Sequence, residues 1–301
     1  MAEPSKTDVS LPPSLVHESL STAANNPIFD LRPNQVRVLE LNKGAERISR
    51  DREHEKSDEL WLGTAFDPNS PDSDDISVYI RVADPMPVVA ELLCAVIGRA
   101  LHLPIPEPFV VFLPSGSLPN SSKLAYNKSC LAFASHNVGE STFSQLLRAD
   151  SESAHAMLLK WEHLIPVTTF DEWVANSDRN LGNILFVSNV LWLIDHAEAF
   201  HGSSRSLFGL ADLVEQGASN ILGDKLARTS LEECALYLEK AKDWLSDFAS
   251  RINISEAVAC AELRYWQSDD QKAELIDFLN QRLTLTHNLL CNRLRHPQLH
   301  H

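Results

Sequence analysis

Short apolar runs with alternating polar positions fill the first part of the chain, after a polar amino-terminal stretch. Within residues 36–134 these runs are bounded by Gly, Pro, Asn, Asp and Ser, which is the pattern of β strands. The predicted strands are residues 36–41, 59–66, 76–82, 109–113 and 130–134. Residues 87–101 instead show helical spacing, begin with Pro and are apolar on both sides, which predicts a helix covered on both faces.

The second part of the chain combines one hairpin with several helices, so the pattern as a whole predicts an α+β fold. Two apolar runs, residues 184–187 and 190–194, flank the polar pair Ser188-Asn189 and predict a β-hairpin. After the hairpin, two sets of positions recur with helical spacing and predict core-facing helices. These are Leu231, Cys234, Leu238, Ala241, Leu245 and Phe248, then Leu275, Leu279, Leu283, Thr286 and Leu290, with Trp244, Trp266 and Phe278 expected beside them.

Residues 1–35 have no sustained apolar period and are rich in Ser, Pro, Asn and acidic residues. This composition predicts a flexible amino-terminal arm, which is either a mobile tail or an arm that docks on something. A strand-rich part at residues 36–134 and a mostly helical part at residues 135–301 follow it. With 301 residues, of which 44% are hydrophobic, the chain can bury the core of one two-lobed unit or of two modest domains.

Charge and hydropathy exclude two classes of partner. The formal net charge of −15 argues against direct nucleic-acid or anionic-membrane binding, because phosphate surfaces select for clustered Lys and Arg. No run approaches the roughly eighteen apolar residues of a membrane span, and the amino terminus lacks a basic region followed by an apolar one. We therefore expect a cytoplasmic protein. The five cysteines are odd in number, far apart and mostly within apolar segments, which predicts buried thiols rather than disulfides or zinc ligands.

The candidate chemistry lies around the predicted hairpin. Asp178 precedes Asn183 by five positions, and Asp195 ends the second apolar run of the hairpin. Phosphoryl transfer needs one carboxylate to accept a hydroxyl proton, plus an amide oxygen and a second carboxylate to hold magnesium. An ordinary surface hairpin with polar flanks would explain the Asp-x4-Asn spacing by itself, because short motifs recur by chance. The apolar strand that ends in Asp-His favours the chemical interpretation.

The segments "SDRNLGNILF" and "LWLIDHAEAF" resemble the catalytic and metal-binding loops of HipA-like kinases, distant relatives of protein and phosphatidylinositol kinases. The resemblance continues in weaker form over most of the chain after about residue 36. It implies a two-lobed kinase-like fold, with a small β-rich N-lobe containing one helix and a mostly helical C-lobe, and it implies ATP and Mg²⁺ as cofactors. By motif match, Asp178 would be the catalytic base, and Asn183 and Asp195 the magnesium ligands.

The same resemblance assigns residues that would bind the nucleotide. Kinases pair a Lys on a small-lobe strand with a Glu on the following helix. Here Arg81 stands at the strand position and Glu91 lies on the small-residue side of the helix, although a Glu at a solvated rim is an equally ordinary interpretation. Lys43 and Gly44 would cover the phosphates, unless their stretch is a solvated charged loop. Backbone groups from Phe133 to Ser135 would meet the adenine edge.

Three functions remain open at this stage. The first is an ATP- and magnesium-dependent kinase that phosphorylates Ser or Thr of a protein substrate. The second is a degenerate kinase-like protein that acts as an interaction module for a partner protein, of the toxin–antitoxin or defence type. Arg81 and the glycine-poor loop favour the second, and the intact Asp178, Asn183 and Asp195 favour the first. The third is a carboxylate–metal hydrolase that uses Asp178, Asp195 and His196, although further His-rich ligand spacing is missing.

Overall fold

The computed structural model describes residues 29–48, 59–200, 209–218 and 220–295. Residues 1–28 of the predicted arm and residues 49–57 of the charged stretch after Gly44 lie outside this part. Six strands come from the amino-terminal half of the chain, with the long helix α1, Pro85–Ala100, between the fourth and the fifth strand. The strands are β1 Arg37–Leu41, β2 Glu46–Arg47, β3 Glu59–Phe66, β4 Ile76–Val82, β5 Pro108–Leu113 and β6 Cys130–His136.

These strands form a single sheet that closes on itself. Their order is β1-β5-β6-β4-β3-β2, and the end of β1 also pairs with β3 through Glu40 and Leu41. The strand β1 runs parallel to β5, whereas β3–β4, β4–β6 and β5–β6 are antiparallel. Closure leaves few unpaired edges and encloses an apolar core that includes Trp61, Ile80 and Phe109.

Strand alternation decides which side chains face away from that enclosed core. Along β4, Val78, Ile80 and Val82 point inward, so the intervening Tyr79 and Arg81 point to the opposite face. The strand β6 repeats this arrangement, with Ala132 and Ala134 inward and Phe133 and Ser135 outward. Since Tyr79 pairs with Ser135 and Arg81 with Phe133, the four outward residues form one continuous patch.

The helix α1 covers the outer face of the sheet and joins it to the carboxy-terminal half. It begins with Pro85 after the extended residue Asp84. From Val88 to Gly98 every side chain of the helix is buried, including that of Glu91. The expectation of a helix covered on both faces is confirmed, because the sheet packs on one side and the helical half on the other.

In the described residues after β6, the chain is helical apart from one two-stranded hairpin, so the predicted α+β class is confirmed. The longest helix packs against five of the other described helices, and the Trp173 indole N–H donates to the Leu279 carbonyl over 2.9 Å. None of the described helices is long and apolar enough to cross a membrane. The elements are α2 Phe143–Ala149, α3 Ser151–Lys160, α4 Leu164–Trp173, β7 Ile184–Val187, β8 Val190–Leu193, α5 Leu210–Leu213, α6 Ile221–Ala227, α7 Leu231–Asp247, α8 Ile254–Cys260 and α9 Asp269–Arg295.

Most of the residues predicted to form the helical core are buried, but Leu283 and Trp266 are half-buried, and Leu231 and Phe248 are exposed. Leu231 is 79% exposed, because it is the first residue of α7, directly after the capping residue Ser230. Phe248 is partly exposed and stacks on Phe29. Among the cysteines, three are buried and two are half-buried, all of them as thiols: Cys94, Cys234 and Cys260, then Cys130 and Cys291.

The last residues of the predicted arm, 29–35, dock on the folded part of the chain. Leu31 is completely buried in the main core. The Phe29 N–H donates to the Arg251 carbonyl over 3.2 Å, and the Val36 N–H donates to the Cys260 carbonyl over 2.9 Å. The segment therefore lies along the helical half and also contacts α1. The sequence left docking open as one alternative, but it did not indicate which residues dock, since one buried Leu creates no period.

We predict that Leu31→Ala lowers the free energy of unfolding by about 2–5 kcal/mol, because it opens a cavity where the segment docks. Leu231→Ala is the matched control and should change this free energy by less than about 0.5 kcal/mol, since its side chain is exposed. Urea unfolding followed by circular dichroism measures both. Equal effects of the two substitutions would show that residues 29–35 do not contribute to the folded core.

Candidate active site

The β7–β8 hairpin brings the two predicted metal ligands to one end. Ser188 and Asn189 turn the chain with φ angles of 51° and 64°, the positive values of a tight two-residue hairpin turn. At the open end, the Ile194 backbone N–H donates to the Asn183 carbonyl over 3.1 Å. The predicted hairpin is confirmed, and Asn183 and Asp195 flank its open end.

Asp195 leaves the hairpin in an unusual backbone conformation. Its φ of 58° lies in the left-handed region, which Asp tolerates better than branched or bulky residues do. Such conformations cost about 1–3 kcal/mol and persist only where the surroundings hold them. Here the surroundings do so, because the Asp195 carboxylate is buried and bonded to Arg81. Backbone strain of this kind is concentrated at functional sites.

Asp178 and Asn183 contact each other within the tight loop that precedes β7. The Asn183 side-chain nitrogen donates to the Asp178 backbone carbonyl over 2.7 Å and lies 3.4 Å from its Oδ2 atom. Asp178 is half-buried, and its backbone N–H donates to the Asn176 side-chain oxygen over 3.3 Å. Because its amide nitrogen is used in this way, Asn183 presents its amide oxygen as the end that can bind a cation.

Arg81 forms the centre of a buried charge cluster. Its Nη1 atom lies 3.0 Å from Glu91 Oε1 and 2.9 Å from Asp195 Oδ1. All three side chains are more than nine-tenths buried, so water screens their attraction little. The predicted pair of Arg81 and Glu91 is confirmed, while the direct contact between Arg81 and Asp195 was not predicted. A residue of the sheet thus touches the segment that leaves the hairpin.

His196 completes this cluster on the side of Glu91. Its backbone N–H donates to Glu91 Oε2 over 3.0 Å, and its Nδ1 atom lies 3.6 Å from the same oxygen. The ring packs edge-on against Phe170 of α4. Glu91 is consequently held from two directions, by Arg81 on β4 and by His196 after β8.

The geometry does not support the hydrolase alternative. That alternative requires His196 to share a metal with Asp178 and Asp195, but the His196 side chain faces Glu91. Across the described ranges, no group of three or more His, Cys, Asp or Glu side chains is arranged to hold a metal ion.

Arg179, which the sequence analysis did not single out, holds the site together. It is completely buried, and its Nε and Nη2 atoms donate to the two oxygens of Asp171 over 3.0 and 3.1 Å. Its Nη1 atom donates to the carbonyls of Asn183 and Ile194 over 3.1 and 2.8 Å. Burial disfavours the charge, yet the Asp171 carboxylate raises the pKa of Arg179 above its usual value. The sequence shows that Arg179 follows Asp178 directly, but no pattern in it indicates that Asp171 is the partner of Arg179.

A cleft of about 580 Å³ lies between the sheet and the hairpin. This volume is in the range of small-molecule sites. Its walls combine residues from both halves of the chain, and they include every member of the outward patch on β4 and β6. The lining residues with predicted roles are Arg81, Glu91, Phe133, Ser135, Asn183 and Asp195.

Lys43 and Gly44 are not brought into this cleft. They lie exposed in the connection between β1 and β2, and a side chain at Gly44 would meet the Ser117 carbonyl at 3.3 Å. The neighbouring Ile48 does line the cleft, and residues 49–58 after it are outside the described part. A phosphate-covering role for Lys43 and Gly44 therefore stays a prediction.

The expected adenine contact needs a correction. Residues 133–135 belong to an interior strand that pairs with β4 on one side and β5 on the other, so their backbone groups face neighbouring strands. Only the side chains of Phe133 and Ser135 reach the cleft. The connection after β6 is better placed for this contact, since its residues Gly139 and Glu140 also line the cleft.

Tyr79, another residue of the cleft wall, has a raised pKa. Burial, together with a 3.1 Å hydrogen bond to Glu140, raises the pKa of Tyr79 to about 12.

The chain has a strand-rich half and a helical half. A buried Arg–Glu pair faces a hairpin that has Asn and Asp at its open end. Together these features define a kinase-like protein. The chain belongs to the HipA-like kinase family, whose profile matches residues 73–263. No curated protein matches the chain.

The solved structures that match this chain include the following two. The proinflammatory kinase CtkA of Helicobacter pylori is 14% identical, with 83% of this chain and 97% of that chain covered and a TM-score of 0.50. A pseudokinase solved in its apo form is 12% identical, with 83% and 98% covered and a TM-score of 0.32. At 14% identity the similarity to CtkA concerns the fold alone. The TM-score of 0.32 for the pseudokinase is too low to establish a shared fold.

We predict that Asp171→Asn lowers the free energy of unfolding by about 3–5 kcal/mol, because it leaves the buried Arg179 charge without its counter-ion. The matched control is Asp269→Asn, which removes an exposed carboxylate 2.6 Å from Lys272. The control should leave the free energy of unfolding nearly unchanged, because water screens an exposed ion pair. Denaturant unfolding of both variants measures the difference, and a loss of under 1 kcal/mol for Asp171→Asn would contradict this role.

Proposed function

We propose that this protein is an ATP- and magnesium-dependent phosphotransferase that acts on a Ser or Thr hydroxyl of a protein substrate. The observation that carries the proposal is the convergence of Asp178, Asn183 and Asp195 at one end of the hairpin, beside a cleft entered by Arg81. Proton acceptor, metal ligands and phosphate-binding cation are the parts that phosphoryl transfer requires. The two-lobed kinase arrangement is part of this proposal, with boundaries at residues 36–134 and 135–301.

The donor set suits magnesium. The Asn183 amide oxygen and the Asp195 carboxylate are hard oxygen ligands, and Mg²⁺ is commonly bound through one or two such groups together with substrate phosphates. These two residues would hold the ion, which neutralises charge on the phosphates when bound. The hydrogen bond from Asn183 to Asp178 keeps the amide oriented, so the ligand needs little reorganisation.

Asp178 is proposed as the general base. Its contact with Asn183 places its carboxylate next to the proposed metal ligand, where an acceptor hydroxyl would approach. Arg179 fixes this loop through the Asn183 carbonyl and is a positioning residue. Arg81, anchored by Glu91, would contact the phosphates, and the side chains of Phe133 and Ser135 would contact the base or the ribose.

The degenerate, partner-binding alternative is favoured by one observation. Arg81 replaces the Lys of the family pattern, and its guanidinium is bonded directly to the proposed metal ligand Asp195. Transfer of the terminal phosphate of ATP, to the protein itself or to lysate proteins, decides between the two functions. Magnesium-dependent transfer by the wild type and its loss in Asp178→Asn would establish a kinase. Absence of transfer by the wild type would favour the interaction module.

We predict that Asp195→Asn abolishes magnesium-dependent ATP binding while the protein stays folded. The substitution keeps the size of the side chain but removes the charge that would bind the ion. Calorimetric titration with ATP and Mg²⁺ measures binding, and circular dichroism verifies the fold. Unchanged affinity in the variant would remove Asp195 from the metal site.

We predict a different result for Asp178→Asn, in which turnover falls at least about a hundredfold with ATP affinity nearly unchanged. A positioned general base contributes about this factor or more, and it acts on the acceptor hydroxyl rather than on the nucleotide. Steady-state phosphate transfer and ATP titration separate the two quantities. Turnover at the wild-type level would place the base elsewhere.

A further inference from the structure

We propose that Arg81 is the resident counter-ion of Asp195 and competes with the divalent metal for this carboxylate. Metal affinity would then be set by a residue that is not itself a ligand. This inference rests on the proposed function, because it concerns the same metal site. The observation behind it is the 2.9 Å contact between Arg81 Nη1 and Asp195 Oδ1, in a cluster whose side chains are more than nine-tenths buried.

The hydrogen-bond geometry makes Arg81 a bridge between two carboxylates. Its Nη1 atom carries two N–H groups, and it has two carboxylate acceptors, at 3.0 Å on Glu91 and at 2.9 Å on Asp195. The Nη1 atom donates a hydrogen bond to Asp195 Oδ1 and forms an ion pair with Glu91 Oε1. Lys at this position would offer a compact ammonium on a flexible stem instead of a planar fork. The direct clamp on Asp195 is therefore a consequence of the Arg in this chain.

The charge balance shows why the metal and Arg81 compete. Arg81 carries one positive charge, and Glu91 and Asp195 carry two negative charges between them. A divalent ion on Asp195 would lie within a few ångströms of the guanidinium, where like charges repel strongly because burial weakens screening. Binding of the ion must therefore lengthen or break the contact between Arg81 and Asp195.

Glu91 provides the position to which Arg81 can withdraw. It is 3% exposed and is fixed by the His196 backbone N–H at 3.0 Å, so it stays in place when the metal arrives. Metal binding is then an exchange, in which Arg81 moves fully onto Glu91 and releases Asp195. This exchange gives Glu91 and Arg81 opposite effects on metal affinity. Removing Arg81 should strengthen metal binding, whereas neutralising Glu91 should weaken it, because Arg81 is then drawn more firmly onto Asp195.

The test is calorimetric titration with Mn²⁺ alone, without nucleotide, so that it does not depend on activity. Wild type, Arg81→Met, Arg81→Lys, Glu91→Gln and Asp195→Asn are compared, and near-ultraviolet circular dichroism verifies each fold. We expect Arg81→Met to bind Mn²⁺ at least about tenfold more tightly than the wild type, since close buried charge pairs couple by at least this factor. Glu91→Gln should bind several-fold more weakly, and Asp195→Asn should not bind.

The outcomes separate this inference from the proposed function. Equal affinity of the wild type and a folded Arg81→Met overturns the competition and leaves the metal site intact. Absence of Mn²⁺ binding in every variant, Arg81→Met included, overturns both. If Arg81→Met does not fold, the remaining variants decide. Weaker binding by Glu91→Gln supports the competition, and unchanged or tighter binding by Glu91→Gln overturns it.

Discussion

The buried guanidinium of Arg179 is the interaction on which the geometry of the candidate site depends. Its two-pronged pair with Asp171 anchors it to α4, and its remaining nitrogen binds the carbonyls at both sides of the hairpin's open end. These carbonyls belong to Asn183 and Ile194, the latter directly before Asp195. One side chain therefore sets the distance between the two proposed metal ligands. Only a planar group with several donors can do this, which is why Lys would not replace Arg here.

The strand pattern predicted the sheet closely because each strand has one face in the enclosed core. Along β4 the alternation puts Ile80 inside and Arg81 outside, and of the two interpretations open for Glu91 the structure has the one with a cationic partner. The alternation of residues within a strand does not indicate which strands are its neighbours in the sheet. The interior position of β6, which excludes backbone contact with adenine at residues 133–135, follows from long-range pairing with β4 and β5.

The misjudged residues share a physical cause, since a local pattern carries no information about the position of an element in the molecule. Leu231 has core spacing but begins its helix in water, and Leu31 lacks any period but reaches the core. Asp171 and Arg179 are eight positions apart and look like solvated charges. Their pairing depends on a turn after α4, in which Ala175 has a φ of 53°. A buried charge could be predicted from the sequence only where the surrounding helix is apolar, as it is around Glu91.

The chain has a net charge of −15, so a nucleotide site must create its own positive potential. In this cleft Arg81 contacts the proposed metal ligand Asp195 directly, and two carboxylates already attract it. A cation held in this way keeps Asp195 from being a buried, uncompensated charge before any ligand arrives, which stabilises the fold. The same contact opposes the metal on which phosphoryl transfer would depend. The hydrogen bond between Arg81 and Asp195 therefore stabilises the ligand-free protein but weakens metal binding. Glu91 can resolve this conflict, because it holds Arg81 both with and without the metal.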